Sequence, residues 1–342
     1  MQLNDINNIK LVLKQERIWP NKRLGQNFLI DQKALKSIVA SAQIKADDMI
    51  VEIGPGVGTL TQELSKRANL VLAIEKDRKL TEWLRRYFKS QSDKVKIVCD
   101  DILQYDIAKI NSNNPSASLR AGKTQIFSET QNLKLKTNRC HPEQCEGSCI
   151  DIDSSPSVQD DNSYGLGLKA YSSYKVVSNL PYNITSPVIR KFIDSDNPPS
   201  VMVLMVQKEV AKRICAKPGT RQRGLLTVIV EYFGKAEIIE IVPRTSFYPV
   251  PDVDSAIIRI KEQGVRTKKI NYKSFLNTIK IGFSQKRRQI HHALKAGLHL
   301  SKDKVLEILN KAKIDPTKRA EELDLDSWVR LKEQIVQILD KQ

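Results

Sequence analysis

The tetrad Asn179-Leu180-Pro181-Tyr182 follows a short apolar run, Tyr174-Lys175-Val176-Val177. Its residue types suit the holding of an exocyclic aromatic amine. Such an amine is a poor nucleophile, because its lone pair is delocalised into the ring. A site that alkylates it should bind both N–H hydrogens and leave the lone pair aimed at the electrophile. The Asn179 side-chain oxygen can accept one hydrogen bond and the Leu180 or Pro181 carbonyl the other, on a backbone that Pro181 restrains. Tyr182 can stack on an extruded base. No strong general base is required, since the amine sheds its proton readily once alkylated, so positioning carries most of the catalysis.

The reagent for such a reaction is sought upstream. Glu52-Ile53-Gly54-Pro55-Gly56-Val57-Gly58 joins a short apolar run to an amphipathic one. Gly54 and Gly56 let the backbone turn sharply and let a ligand approach closely. The spacing is GxGxG rather than the GxGxxG dinucleotide fingerprint, because Thr59 occupies the last place. Glu75 closes the next apolar run, where a carboxylate can accept both hydroxyls of a ribose. Asp101 follows the third run, in Cys99-Asp100-Asp101-Ile102-Leu103. It can accept a hydrogen from an adenine amine; Asp100 is the alternative, and Asp101 fits the strand-end pattern better. These three ends predict an adenosine-containing cofactor and leave NAD and S-adenosylmethionine open. The tetrad favours S-adenosylmethionine. Two further segments mix aromatics with basic residues or prolines. Lys22 to Leu29 can close over the cofactor, and Phe247-Tyr248-Pro249-Val250-Pro251 can supply a second face to a base clamp.

The elements that must position these groups read as alternating strands and helices. Strands are predicted over 49–53, 69–75, 95–99, 174–177 and 201–206, then near 238–242 and 256–260, with helices over 31–42, 59–68 and 80–88. Short loops between them indicate a parallel α/β sheet. From 21 to 263 the chain reads as one Rossmann-like domain, preceded by a polar extension over 1–20. The rhythm breaks over 112–172, a stretch rich in Ser, Asn, Gly and Asp. A featureless segment of this length inside a compact domain is unusual, and it reads as a disordered or loosely packed insertion near the site's rim. Its Cys140, His141, Cys145 and Cys149 have a spacing that could hold zinc, but such cysteines need no ligand and no metal is expected. Residues 264–342 read as a small helical domain, with helices over 275–283, 289–296, 302–312 and 327–339.

The chain has 342 residues and a net charge of +17, from 56 Lys and Arg against 39 Asp and Glu. That excess points to a polyanionic partner. Charge alone does not choose among RNA, DNA and an anionic membrane, but there is no amphipathic basic anchor at the N-terminus, which favours nucleic acid. No run is long and apolar enough for a membrane span, and the first residues carry no apolar export core. Five cysteines, an odd number, argue against a disulfide framework. A cytoplasmic protein is expected.

The chain resembles the ribosomal RNA adenine dimethyltransferase family, most of all its bacterial small-subunit branch. The resemblance rests on LGQNFL (24–29), EIGPGVGTLT (52–61), AIEKD (73–77), NLPYNI (179–184), QKEVAKRI (207–214), FYPVPDVDSA (247–256) and FSQKRRQIHHAL (283–294), in family order. It implies an S-adenosylmethionine-dependent methyltransferase with a C-terminal helical domain. The implied substrate is two adjacent adenosines near the 3′ end of 16S ribosomal RNA in the immature small subunit, and the implied protein is a monomer. It implies cofactor contacts at Asn27, Leu29, Gly54, Gly56, Glu75, Asp101 and Asn179. Asn179, Leu180, Pro181, Tyr182 and Phe247 would hold the target base, and Lys286-Arg287-Arg288 would face RNA phosphates. The insertion over 112–172 departs from the family and puts RNA access in question. Three other readings compete: a large-subunit relative of the macrolide-resistance type, an assembly factor that binds RNA without catalysis, and a DNA adenine methyltransferase. The long basic tail, the intact tetrad with its glycine loop, and Leu-Pro-Tyr in place of Pro-Pro-Tyr respectively argue against them.

Overall fold

The computed structural model describes residues 1–21, 25–111, 173–263 and 271–339. The insertion expected over 112–172, with its cysteines, lies outside the described residues, as do Lys22, Arg23 and Leu24.

The core is a seven-stranded sheet. In chain order its strands are β2 (Met49–Ile53), β3 (Leu70–Glu75), β4 (Val95–Cys99), β5 (Tyr174–Asn179), β6 (Val201–Gln207), β7 (Gly234–Val242) and β9 (Ser255–Glu262). A two-residue strand β1 (Phe28–Leu29) pairs outside the sheet with β8 (Phe247–Tyr248). The spatial order is β4-β3-β2-β5-β6-β9-β7. The first five of these run parallel, and β9 and β7 add as antiparallel partners. All residues of β2 and β3 are buried, as expected of parallel strands covered on both faces. Order and direction together give the Rossmann-like sheet expected from sequence.

Helices α2 (Gln32–Ser41), α3 (Thr59–Ser65) and α4 (Arg78–Tyr87) connect the first strands. Asp31 caps α2, its Oδ1 accepting from Lys33 N–H and Ala34 N–H. Asp77 caps α4 in the same way. Such caps satisfy orphan donors at a helix start and set where the helix begins. Leu35 and Ile38 of α2 and Leu60 and Leu64 of α3 pack against Ile50, Val71 and Val177. Further along lie α5 (Thr185–Ile193), α6 (Lys208–Ile214) and α7 (Leu225–Phe233).

The first twenty residues differ from the polar lead-in expected of them. They contain α1 (Ile6–Gln15), whose Ile9, Val12 and Leu13 are buried against Phe28, Val57 and Leu80. Thr59 Oγ1 donates to the Leu3 carbonyl at 2.7 Å. The three apolar positions at helical spacing sit among Asn, Lys and Gln, so the segment looks polar while still carrying an apolar face.

The C-terminal helices are α8 (Tyr272–Phe283), α9 (Ile290–Leu298), α10 (Lys302–Lys311) and α11 (Leu325–Leu339). Their shared core centres on Phe275, Ile290, Leu294, Ile308 and Trp328 and also takes in Val228 and Tyr232 of α7. The helical part therefore shares a core with the sheet domain instead of standing apart. Arg223, wholly buried, strengthens the seam. Its guanidinium donates to both oxygens of Glu231 at 2.5 and 2.6 Å and to the Ala216 and Leu323 carbonyls.

Candidate active site

The C-terminal ends of β2, β3, β4 and β5 open into one pocket, as parallel α/β sheets arrange their ligand sites. Its wall includes Asn27, Leu29, Gly54, Gly56, Glu75, Asp101, Asn179, Leu180, Pro181 and Tyr182. The structure thus brings together ten of the eleven residues expected at the site.

The glycine loop needs its glycines. Gly54 and Gly56 sit at φ +62° and +60°, a region that costs other L-residues about 1–2 kcal/mol. A Cβ on Gly56 would lie 3.0 Å from the Phe28 ring, and one on Gly54 would lie 3.4 Å from Pro181 Cδ. The loop is pinned on its outer side by Trp83, whose indole N–H donates to the Val57 carbonyl at 3.1 Å.

Glu75 is 6% exposed. Its Oε2 accepts from Gly56 N–H at 3.1 Å and its Oε1 from Asp77 N–H at 2.9 Å. Each carboxylate oxygen has a second lone pair, so the group can still receive two hydroxyls. Burial raises its pKa to about 7. Asp101 Oδ1 accepts from Leu103 N–H at 2.9 Å and Oδ2 from Lys76 Nζ at 2.8 Å. The Lys76 ammonium holds the Asp101 carboxyl below its ordinary range. Asp100 also lines the pocket, with its Oδ1 taken by the Asp101 N–H at 2.7 Å.

The tetrad is held from three sides. Ser178 Oγ donates to the Ile53 carbonyl at 2.6 Å, tying the end of β5 to that of β2. Leu180 N–H donates to the Met205 carbonyl of β6 at 3.2 Å. Asn179 Nδ2 donates to the Asn27 carbonyl at 3.0 Å. With its donor end engaged there, the amide has its acceptor Oδ1 left for a substrate amine. Tyr182 begins a short 3-10 turn, and its hydroxyl lies 2.7 Å from Ser255 Oγ. Burial pushes the phenol's pKa up.

Phe247 is the exception. It is 1% exposed and packs in the core with Leu29, Ile38, Val242 and Ile257. Side chains alternate along a strand, so the pairing Leu29↔Phe247 sends both rows inward, while the next pair, Phe28↔Tyr248, joins the cluster around Ile9 and Val57. Phe247, expected to supply the second face of a base clamp, is buried in the core under the β1–β8 ribbon and is not among the residues lining the pocket.

Glu52, the first residue of the glycine motif, also lines the pocket, a placement its motif alone does not assign. Glu52 is 1% exposed, and its Oε2 has no hydrogen-bond partner among the described residues. Burial raises its pKa to about 8, with nearby Glu75 adding to the rise. A buried carboxylate beside a glycine loop was visible in the sequence as Glu52-Ile53-Gly54. A glycine cradle, an orphaned buried carboxylate oxygen and acidic strand ends together fit a cationic adenosine cofactor.

Lys286, Arg287 and Arg288 sit exposed in the turn between α8 and α9. Lys286 Nζ donates to the Arg221 carbonyl at 2.7 Å. Among the described residues no group of three or more His, Cys, Asp or Glu is placed to hold a metal ion, and no helix is long and apolar enough to cross a membrane.

The sequence model of the family described as ribosomal RNA adenine dimethylase matches residues 19–337. The chain belongs to that family. It is 36% identical over 311 residues to the ribosomal RNA small subunit methyltransferase A of Dehalococcoides mccartyi (strain CBDB1), covering 91% of this chain and 86% of the relative. It is 34% identical over 328 residues to the protein of the same name from Clostridioides difficile (strain 630), covering 96% and 94%. Among solved structures, the dimethyladenosine transferase of Plasmodium falciparum superposes with a TM-score of 0.64 at 22% identity, over 92% of this chain and 98% of that one. The 23S rRNA methyltransferase ErmE superposes with a TM-score of 0.58 at 21% identity, over 91% and 100%. At those identities the two structures speak to the fold, which this rRNA adenine dimethylase shares with them.

Proposed function

We propose that this rRNA adenine dimethylase places two methyl groups on the 6-amine of each of two adjacent adenosines near the 3′ end of 16S ribosomal RNA. Its substrate is the immature small subunit, and it works as a cytoplasmic monomer. The small-subunit methyltransferases named above support this choice over large-subunit RNA. S-adenosylmethionine, when bound, supplies an electrophilic methyl on a positively charged sulfur.

Gly54, Gly56, Glu75 and Asp101 would hold that cofactor, together with Asn27 and Leu29 of the same pocket. The observation that carries the reading is the Asn179 amide, anchored by its nitrogen to the Asn27 carbonyl. Its oxygen and a carbonyl of the Leu180-Pro181 turn accept the two hydrogens of the adenine amine, which turns the lone pair toward the methyl. Tyr182 stacks on the extruded base. The proton leaves the amine after transfer and needs no dedicated base. Residues 264–342, with exposed Lys286, Arg287 and Arg288, supply a cationic footprint for RNA phosphates.

The test is methyl incorporation from labelled S-adenosylmethionine into unmodified small and large subunits side by side. Label confined to the small subunit supports the proposal. Label in the large subunit, or in neither, rejects it.

A further inference from the structure

We propose that Ser255 is a positioning residue for the methyl transfer, tethering the Tyr182 phenol and so holding the ring that flanks the target base over its slot. The inference rests on the reading of Tyr182 given under the proposed function.

Ser255 is the first residue of β9 and is wholly buried. It lies opposite Gln207 of β6 and Val242 of β7, so its backbone is held from both sides. Its Oγ is 2.7 Å from the Tyr182 hydroxyl, across 73 positions of sequence. The Tyr182 backbone is separately restrained: Pro181 precedes it, and Thr185 Oγ1 donates to its carbonyl at 3.2 Å. What remains free is rotation about the two side-chain torsions of tyrosine. A hydrogen bond at the far end of the ring fixes the first and with it the direction of the ring's long axis. Ser255 lies in the antiparallel part of the sheet, outside the strands whose ends form the cofactor pocket. The tether therefore couples the base slot to a part of the sheet that binds no cofactor. Misplacing a reacting group by about 1 Å can cost about a hundredfold in rate, so a ring free to swing slows turnover without altering cofactor affinity.

The experiment compares wild type with Ser255→Ala, Tyr182→Phe, the double variant and Tyr182→Ala. Each is assayed for kcat, for KM toward unmodified small subunits, for S-adenosylmethionine affinity by calorimetry and for thermal midpoint. Loss of one buried hydrogen bond corresponds to about a tenfold fall in kcat. Ser255→Ala and Tyr182→Phe are each expected to show that fall with unchanged cofactor affinity. The double variant is expected to be no slower than either single one, because both changes remove the same bond. Multiplying losses in the double variant, or a Ser255→Ala protein whose kcat is intact, would overturn the tether. Should Ser255→Ala fail to fold, Tyr182→Phe tests the same bond from the other side. Wild-type turnover in Tyr182→Ala would remove the base-slot reading and the tether with it. A crippled Tyr182→Ala beside an unaffected Ser255→Ala would remove the tether alone.

Discussion

Asn179 Nδ2 donates to the Asn27 carbonyl at 3.0 Å, a bond that joins the strand-end tetrad to the segment preceding the sheet across 152 positions. It leaves one face of the amide, the acceptor oxygen, for the substrate. Removing that oxygen in Asn179→Ala removes a preorganised acceptor, a change worth about 10²–10³ in kcat. Single-turnover methylation measures this, and a loss smaller than threefold would speak against the role.

Gly56→Ala tests the cofactor cradle. The new Cβ meets the Phe28 ring at 3.0 Å at a backbone φ of +60°. Strain of about 1–2 kcal/mol, together with displacement of Phe28 at the pocket wall, should weaken S-adenosylmethionine binding by about tenfold. Calorimetry reads the change directly. Equal affinity in the variant would show that the ligand does not approach this backbone.

Glu52 makes the stability of the cofactor-free protein depend on pH. Its folded pKa of about 8 lies above the unfolded value of 4.5 because burial disfavours the charge. Between those values the folded state keeps a proton that the unfolded state releases, so raising the pH across that window favours unfolding. Glu75, raised to about 7, acts in the same direction. The thermal midpoint of wild type should therefore fall from pH 5 to pH 8, and that of Glu52→Gln should fall less. Parallel pH profiles for the two proteins would contradict this account of the buried carboxylate.

Phe247 separates a core residue from a clamp residue. Truncating a fully buried phenylalanine costs about 3–5 kcal/mol. Phe247→Ala should show that loss in denaturant unfolding. If the variant keeps its stability and loses only turnover, the ring acts on the substrate and its place in the core is not its main role.

Much of the sheet was legible because its strands are short apolar runs ending in glycine or acid. Met49–Ile53 and Val95–Cys99 carry the same bounds in sequence and structure. The pocket was legible for the same reason, since strand ends place Gly54, Glu75, Asp101 and Asn179 together whatever the loops do. The unforeseen parts depend on long-range packing. Helix α7 reads LLTVIVEYF, apolar almost throughout, and so shows no helical period. Helix α1 hides three buried residues among polar ones. The inward turn of Phe247 follows from its register against Leu29, and the hydroxyl pair Tyr182–Ser255 from the meeting of β9 with the tetrad. Neither leaves a local pattern.

The proposed activity is dimethylation of paired adenosines at the Asn179 site. Its most direct test is mass spectrometry of 16S ribosomal RNA after reaction of unmodified small subunits with S-adenosylmethionine and either wild type or Asn179→Ala. N6,N6-Dimethyladenosine is expected at two adjacent positions near the 3′ end with wild type, and little or none with the variant. Absence of the dimethylated pair with wild type, or an undiminished yield with Asn179→Ala, would contradict it.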